Sequence, residues 1–177
     1  TYSIWDACAA SGGKSILVND ILDGRIKLTV SDIRENILAN CKARLQQAGI
    51  PLYGCFTANF ENDKPVDVRE KFDIIIADVP CSGSGTWART PEQLYSFEQS
   101  GIDSFATKQQ AIVSSLVPHL EREGYFIYIT CSVFRKENED NVGFLKEKFQ
   151  LQLLQMKYIE GFENRADVLF VAVLRST

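Results

Sequence analysis

Short apolar segments alternate with amphipathic helical segments along most of this chain, and this alternation constrains the fold more than any other feature. The apolar segments have the length of strands, and they lie near residues 3–7, 26–30, 52–56, 72–77, 125–130 and 168–174. Apolar residues at helical spacing separate most of them, over residues 33–47, 102–120 and 142–149. Because strands that alternate with helices form a sheet covered on both faces, the sequence predicts a doubly wound α/β fold.

The composition is typical of one intracellular domain. The chain has 177 residues, of which 45% are hydrophobic, and no linker divides it, so we expect a single domain over residues 1–177. Its five cysteines include no C-x-x-C pair, which favours reduced thiols in a cytoplasmic protein over disulfides or a metal site. No membrane segment or signal peptide is predicted. Because the chain starts with Thr1 close to a strand, we expect it to be part of a longer polypeptide.

The charge and the histidine content disfavour two function classes. A net charge of -4 argues against a broad phosphate-binding surface, so affinity for RNA would need local patches or further parts of the protein. His119 is the single histidine, and its helical context predicts a residue at a helix end rather than a base or a ligand. A hydrolase with a Ser–His or Cys–His pair is therefore disfavoured.

The loop from Asp6 to Ser15 is the first candidate site. It follows a strand and opens a helix, where small residues let the backbone approach a ligand and helix N–H groups attract negative charge. A phosphate loop would need a glycine at the position of Cys8, so ATP or GTP binding is disfavoured. A plain glycine turn between strand and helix is the alternative. The candidate cofactor residues of the loop are Cys8, Ala9, Ala10, Ser11, Gly12, Gly13 and Lys14.

Two later residues favour adenosine binding at this loop. Asp32 ends the second strand about 20 residues after the glycines, where an acid can accept hydrogen bonds from both ribose hydroxyls. An N-cap of the following helix is the alternative role for Asp32, and it does not exclude the first. Asn59 follows the third strand, where its amide can bond an adenine edge, although asparagine is also common in loops.

The loops after two other strands predict covalent chemistry. Cys81 and Cys131 each lie just beyond a strand, whereas Cys41 and Cys55 are predicted to fill packing positions. Asp78 ends a buried strand beside the first of these loops, where it can bond the edge of a base or serve as a turn carboxylate. A free thiol titrates near ~8.5, so a cysteine nucleophile there needs a lowered pKa or a proton acceptor.

Two residues further along the same loop have a less specific pattern. Arg89 is either a phosphate contact or a solvated surface charge. Thr90 is predicted to be the N-cap of a short helix, because Pro91 and Gln93 follow it at the spacing of a helix start.

Three motifs, DACAASGGKS, DVPCSGSGTWARTPE and ITCSVFRKENEDN, resemble in order and spacing the signature motifs of the RsmB-like (Sun family) RNA 5-methylcytosine methyltransferases. The resemblance covers nearly the whole chain, from Asp6 through the segment Glu137-Asn138-Glu139. It implies a Rossmann-like class I S-adenosylmethionine-dependent methyltransferase fold, with a mostly parallel sheet and an antiparallel last strand. It also implies S-adenosylmethionine as the cofactor, rRNA or tRNA as the partner, and no metal ion.

The resemblance assigns roles to individual positions. It places the cofactor loop on residues 8–14, the ribose-binding acid on Asp32 and the adenine-side residue on Asn59. It places on Asp78 an acid that serves both the cofactor and the target base. In the family mechanism the residue matching Cys131 adds to carbon 6 of cytosine, carbon 5 takes the methyl group, and the residue matching Cys81 assists release. Ser11 stands where the family usually has proline, and Asn59 where it usually has aspartate.

Two other function classes stay open. One is a non-catalytic module that binds S-adenosylmethionine and assists ribosome assembly, which the intact Asp78, Cys81 and Cys131 disfavour. The other is a Rossmann-type oxidoreductase, in which the two strand-end cysteines would be incidental. Preference for S-adenosylmethionine over NAD separates the oxidoreductase from the rest, and a covalent RNA adduct separates the enzyme from the assembly module.

Overall fold

The structure, a computed structural model, describes residues 1–61, 68–161, 163 and 166–177. Seven strands of this part form one sheet in the order β3-β2-β1-β4-β5-β7-β6. The strands are β1 (Tyr2–Asp6), β2 (Ile26–Asp32), β3 (Leu52–Thr57), β4 (Phe72–Asp78), β5 (Leu120–Thr130), β6 (Gln152–Ile159) and β7 (Leu169–Arg175). The helices are α1 (Gly13–Ile21), α2 (Glu35–Gln47), α3 (Pro91–Tyr95), α4 (Ser100–Leu116) and α5 (Glu139–Phe149).

The pairing of the strands confirms the predicted sheet. β1 to β5 pair in parallel, while β7 runs antiparallel to both β5 and β6. Successive side chains of a strand point to opposite faces, so Ile4 and Trp5 of β1 enter different cores. Buried residues of α2 pack on the face of Ile4, and buried residues of α4 and α5 pack on the face of Trp5. Helices therefore cover both faces of the sheet.

The centre of the sheet is where the order of the strands reverses. β1 pairs with β2 on one side and with β4 on the other. The connections that leave the carboxyl ends of β1 and β4 therefore diverge, and such divergence opens a crevice for ligands in α/β sheets. All of the predicted site residues follow β1, β2, β3, β4 or β5 at this edge.

Strand β6 was not predicted. Its residues alternate little between buried and exposed positions, and most of them are exposed. In the part of the chain that the structure describes, β6 pairs with β7 alone, at the edge of the sheet. Leu153 and Tyr158 pack partly on the core, but the other side chains of this edge strand are exposed, so the sequence pattern did not reveal it.

Several local predictions have definite outcomes. His119 ends a turn of 3₁₀ helix (Val117–His119) and packs edge-on against Trp5, which confirms a residue at a helix end. Cys41 is buried as predicted, but Cys55 is exposed on β3, so its assignment to a packing position was wrong. Thr90 is the N-cap of α3 and Pro91 is its first residue, as predicted, although the Thr90 hydroxyl donates to the carbonyl of Thr86 and makes no capping bond.

The helix predicted over residues 102–120 is shorter at its carboxyl end. α4 ends at Leu116, and the chain passes through the 3₁₀ turn before β5 begins at Leu120. Pro118 lacks the N–H group that would continue the α-helix, which accounts for the early end. Within the described ranges, none of the helices is long and apolar enough to cross a membrane.

Candidate active site

A cavity of about 460 Å³ opens at the carboxyl edge of the sheet, within the size range of small-molecule sites. Its wall combines apolar side chains, among them Ile33, Phe60 and Ile112, with a few polar groups. Seven of the predicted site residues line it, namely Cys8, Ala10, Asp32, Asn59, Asp78, Cys81 and Cys131. The structure thus brings residues from five separate loops to one cavity.

Besides Lys14, four predicted residues of the first loop do not line the cavity that the described residues form. Ala9 is buried in the core, and the carbonyl of Ser11 accepts a hydrogen bond of 2.7 Å from Arg44. Gly12 has a φ of 80°, and a Cβ there would lie 2.8 Å from the Sγ of Cys41. Gly12 is therefore required by the turn and by packing on α2. Gly13 begins α1, and a cofactor contact for these four residues stays a prediction.

The same loop begins with a buried acid, Asp6, and a partly buried thiol, Cys8. One oxygen of Asp6 accepts a 2.6 Å hydrogen bond from the hydroxyl of Ser15, and the other has no partner among the described residues. Burial raises the pKa of Asp6 from 3.8 to about 6. Burial also raises the pKa of Cys8, with Asp6 adding to the rise, so the Cys8 thiol stays protonated at neutral pH. Cys8 can line the cavity but does not act as a nucleophile.

Asp32 ends β2 with a carboxylate that is 4% exposed and fully hydrogen-bonded. It accepts bonds from the backbone N–H of Ala10 at 3.0 Å and from the guanidinium of Arg34 at 3.0 and 3.1 Å. Burial alone would raise the pKa of Asp32, but the bonds from Arg34 and Ala10 outweigh burial and lower it. Asp32 therefore stays ionised. It also accepts the backbone N–H of Arg34, but the N-cap of α2 is Arg34, so the alternative role of Asp32 as the N-cap of that helix was wrong.

Arg34 is a site residue that the sequence pattern did not single out. Its side chain is 57% exposed and lies across the carboxylate at the mouth of the cavity. The position of an arginine two residues after a strand-end acid was the available signal. Any ligand that hydrogen-bonds Asp32 must share that carboxylate with Arg34.

Asp78 ends β4 and forms an ion pair with Lys14 of α1. Both side chains are partly exposed, at 34% for Lys14 and 27% for Asp78. The pair joins the first loop to the loop that carries Cys81. Lys14, which does not itself line the cavity, thus reaches a residue that does.

The two cysteines meet at the far end of the cavity. Their Sγ atoms are 3.2 Å apart, and both thiols are free. The hydrogen bond from the Cys81 thiol lowers the pKa of Cys131, and the same bond together with burial raises the pKa of Cys81. Cys131 therefore gives up its proton first, and Cys81 remains a thiol that donates to the Cys131 thiolate. A thiolate of this kind is the nucleophilic form of cysteine.

The remaining predicted residues have definite positions. Asn59 lines the cavity; its side-chain oxygen accepts the backbone N–H of Glu61 at 3.0 Å, and its amide nitrogen has no partner among the described residues. Arg89 lies outside the cavity and pairs with Asp167, with donor distances of 3.1 and 2.7 Å. A phosphate contact by Arg89 would need that pair to open.

Comparison with solved structures identifies the fold. The crystal structure of NSun6 from Pyrococcus horikoshii with SFG superposes with a TM-score of 0.86 and 23% sequence identity, and covers 99% of this chain and 48% of that chain. A likeness at this identity shows the fold. It confirms the Rossmann-like methyltransferase fold that the three motifs predict.

Comparison with known sequences identifies the family. Ribosomal RNA small subunit methyltransferase B of Serratia proteamaculans is 32% identical over 160 residues, which are 86% of this chain and 35% of that protein. A probable ribosomal RNA small subunit methyltransferase B of Bacillus subtilis is 27% identical over 146 residues, which are 82% of this chain and 33% of that protein. The chain thus spans about a third of the length of these relatives. The family model for the 16S rRNA methyltransferase RsmB/F matches residues 1–173, and this chain therefore belongs to that family.

Proposed function

We propose that this protein transfers a methyl group from S-adenosylmethionine to carbon 5 of a cytosine in rRNA or tRNA, through a covalent bond between Cys131 and the base. The observation that carries the proposal is the 3.2 Å contact between the sulfur atoms of Cys81 and Cys131 in the cavity that Asp32 also lines. Attack on the base requires a thiolate, and a neighbouring thiol that donates a hydrogen bond can assist its release. The names of the relatives favour ribosomal RNA as the substrate.

The residues of the cavity fit S-adenosylmethionine. The buried, ionised carboxylate of Asp32 suits the two ribose hydroxyls, and the amide of Asn59 suits the edge of the adenine. Ile33 and Phe60 give apolar walls for a flat ring. When bound, S-adenosylmethionine supplies an electrophilic methyl group on a sulfonium. Asp78 and its ion pair with Lys14 lie between this end of the cavity and the cysteines.

Cys131 makes and breaks the covalent bond. Its thiolate adds to carbon 6 of cytosine, so an S–C6 bond forms and the electron pair of the C5–C6 double bond moves toward carbon 5 and the ring nitrogen. Carbon 5 then takes the methyl group. Transfer of the proton on carbon 5 to water restores the double bond as the S–C6 bond breaks, and the Cys131 thiolate returns with its electron pair.

Cys81 and Asp78 assist at opposite sides of the base. The Cys81 thiol donates a hydrogen bond to the Cys131 sulfur, and this bond stabilises the thiolate that leaves when the S–C6 bond breaks. Electron density accumulates on the ring nitrogen during the addition, and this nitrogen takes up a proton from water; Asp78 accepts the hydrogen bond of the resulting N–H until the proton is returned on release. A cytosine that reaches this cavity must be unstacked, as in a single-stranded or loop region of RNA.

The test uses the full-length protein and begins with the cofactor. Calorimetry should show binding of S-adenosylmethionine with a Kd in the micromolar range and no comparable binding of NAD. Binding of NAD in preference would contradict the proposal and favour the oxidoreductase.

The second step measures transfer of a labelled methyl group to 16S rRNA and to tRNA transcripts, with the product nucleoside identified by mass spectrometry. Cys131→Ala should lower the rate by roughly three orders of magnitude or more and leave cofactor binding unchanged. The exposed Cys55→Ser is the matched control and should keep full activity. Full activity of Cys131→Ala would exclude the covalent mechanism, and cofactor binding without any methyl transfer by the unmodified protein would favour the assembly module.

A further inference from the structure

Three buried polar side chains lie directly behind the two cysteine loops. They are Gln109 of α4, Glu137 in the turn before α5, and Asn138 next to it, and each is 0% exposed. Buried polar groups are destabilising unless they are hydrogen-bonded, so their partners indicate what they hold in place. We call these three residues the clamp.

Two clamp residues hold the peptide groups on either side of Cys81. The side-chain amide of Gln109 donates a 2.9 Å hydrogen bond to the carbonyl of Pro80, and the N–H of Ser82 donates a 2.9 Å bond to Oε2 of Glu137. The segment from Val79 to Gly83 has no regular secondary structure that would fix it otherwise.

The Glu137 carboxylate is incompletely satisfied. Its Oε1 is buried and has no partner among the described residues. A buried carboxylate with an unpaired oxygen lowers stability, so packing alone does not account for this residue. Among the described residues, the one hydrogen bond of its carboxylate is with the loop that carries Cys81.

The third clamp residue holds both neighbours of Cys131. The side-chain nitrogen of Asn138 donates a 2.8 Å hydrogen bond to the carbonyl of Ser132, and its oxygen accepts a 2.5 Å bond from the hydroxyl of Thr130. Because Asn138 directly follows Glu137, adjacent residues hold the two cysteine loops. Any shift of this backbone moves one loop relative to the other.

The clamp is itself fixed from behind. The hydroxyl of Tyr128 donates a 2.6 Å bond to the carbonyl of Glu137, and the amide of Asn141 donates a 2.6 Å bond to Gln109. Both Tyr128 and Asn141 are fully buried. A connected network of this kind restricts each member to one geometry.

We infer that Gln109, Glu137 and Asn138 are positioning residues that set the distance between the sulfur atoms of Cys81 and Cys131, and thereby decide that Cys131 is the reactive one. A thiol stabilises a neighbouring thiolate only at hydrogen-bond distance, so a small displacement of either loop removes the effect. The meaning of this reactivity for catalysis rests on the proposed function, but the reactivity itself can be measured without RNA or cofactor.

The experiment follows the pH dependence of Cys131 alkylation by iodoacetamide in the full-length protein carrying Cys55→Ser, with peptide mass spectrometry to identify the modified cysteine. Glu137→Ala and Asn138→Ala should move the midpoint of this pH dependence to higher pH. Each pH unit of rise slows the alkylation of Cys131 at pH 7 about tenfold. Loss of the Glu137 carboxylate would by electrostatics alone move the midpoint downward, so an upward shift reports a change of geometry.

Three further variants make the result specific. Glu137→Gln keeps an acceptor for Ser82 and should restore most of the reactivity. Asp140→Ala removes a partly exposed acid of α5 that pairs with Arg135, and it should leave the pH profile of Cys131 alkylation unchanged. Thermal unfolding identifies variants that fail to fold. If Glu137→Ala is one of them, Asn138→Ala and Gln109→Leu test the same inference from the other two positions.

The outcomes separate the two proposals. Folded clamp variants with an unshifted midpoint would overturn the clamp and leave the nucleophile intact. A midpoint of about 8.5 for Cys131 in the parent protein would count against both the proposed nucleophile and the clamp. A lowered midpoint that rises in Glu137→Ala and Asn138→Ala, but not in Asp140→Ala, supports the clamp.

Discussion

The two ends of the cavity are held in different ways. At the Asp32 end, charged groups pair with partly exposed cations: Arg34 lies on Asp32, and Lys14 lies on Asp78. At the cysteine end, hydrogen bonds that involve no cation join Cys81 to Cys131 and buried side chains to the backbone on either side of them. Exposed ion pairs are weak and can exchange partners, whereas buried hydrogen bonds are costly to break.

This difference corresponds to what each end has to do. In the proposed reaction the acids at the first end exchange the hydrogen bonds of Arg34 or Lys14 for those of a ligand. The sulfur atoms at the other end would keep one separation through the proposed attack and release, which requires a geometry that is set before the substrate arrives. Variants at the two ends should therefore differ in kind: those at the cysteine end change reaction steps, and those at the Asp32 end change binding and stability.

The largest effect is expected from Cys81→Ala. Without a hydrogen bond to the leaving sulfur, release of the methylated base should slow by roughly 10³-fold, and a protein–RNA adduct should accumulate. Attack slows as well, but methyl transfer makes the adduct irreversible, so it builds up. Denaturing gel electrophoresis with labelled RNA measures it. Cys81→Ser retains a donor and should accumulate less; an alanine variant that is fully active and free of adduct would contradict this role.

The next effect concerns stability and pH at the other end. The pKa of Asp6 rises on folding from 3.8 to about 6, so its protonated form is favoured in the fold. The stability that it contributes is complete below about pH 4 and is lost as the pH rises through about 6, a change of about 3 kcal/mol. Asp6→Asn lacks this titration.

The measurement is the difference in unfolding free energy between Asp6→Asn and the parent protein, from urea titrations between pH 4 and pH 7. This difference should grow in favour of the variant as the pH rises. The matched control is Asp20→Asn, an acid of α1 on the exposed side of the chain. A constant difference for Asp6→Asn across this range would show that the carboxyl is not buried as described.

Asp32→Asn should weaken S-adenosylmethionine by about 1 to 3 kcal/mol, because charged hydrogen bonds to the ribose hydroxyls become neutral ones. Calorimetry gives the affinity, and adenosine without the methionine part should lose a similar amount. An affinity equal to that of the parent protein would show that Asp32 does not hold the ribose hydroxyls and serves only to order the turn at Arg34.

The smallest effect is expected from Arg34→Gln. Its guanidinium competes with a ligand for the Asp32 carboxylate, so its removal should tighten S-adenosylmethionine binding by up to about 1 kcal/mol, the usual limit for an exposed pair. The same calorimetric titration tests it, at low and high salt. Weaker binding in this variant would mean that Arg34 holds the carboxylate in place instead of competing for it.

The sequence predicted the strands that are apolar and the site residues that follow them. Phe72–Asp78 is such a strand, and Asp78 stands at its end as expected. It could not predict β6, which has no apolar periodicity, or the exposure of Cys55, because a cysteine in a strand is typical of a core. Nor could it predict the contacts of Arg34 and Lys14, since these depend on where separate loops meet. Glu137 and Asn138 appeared in a recognisable motif, but only their burial between two loops indicates what they do.

The position of β7 has a consequence for how the protein is made. β7 is synthesised after β5 and β6 but inserts between them, and its Phe170 pairs with Thr130, the residue before Cys131. Until Leu169–Arg175 has left the ribosome, β5 keeps a free edge and β6 has no neighbour among the described strands. The earlier strands β1 to β4 need no part of β7 to pair. The nascent chain can thus pair β1 to β5 first, and β5, the strand that precedes Cys131, gains its second neighbour only when β7 enters the sheet.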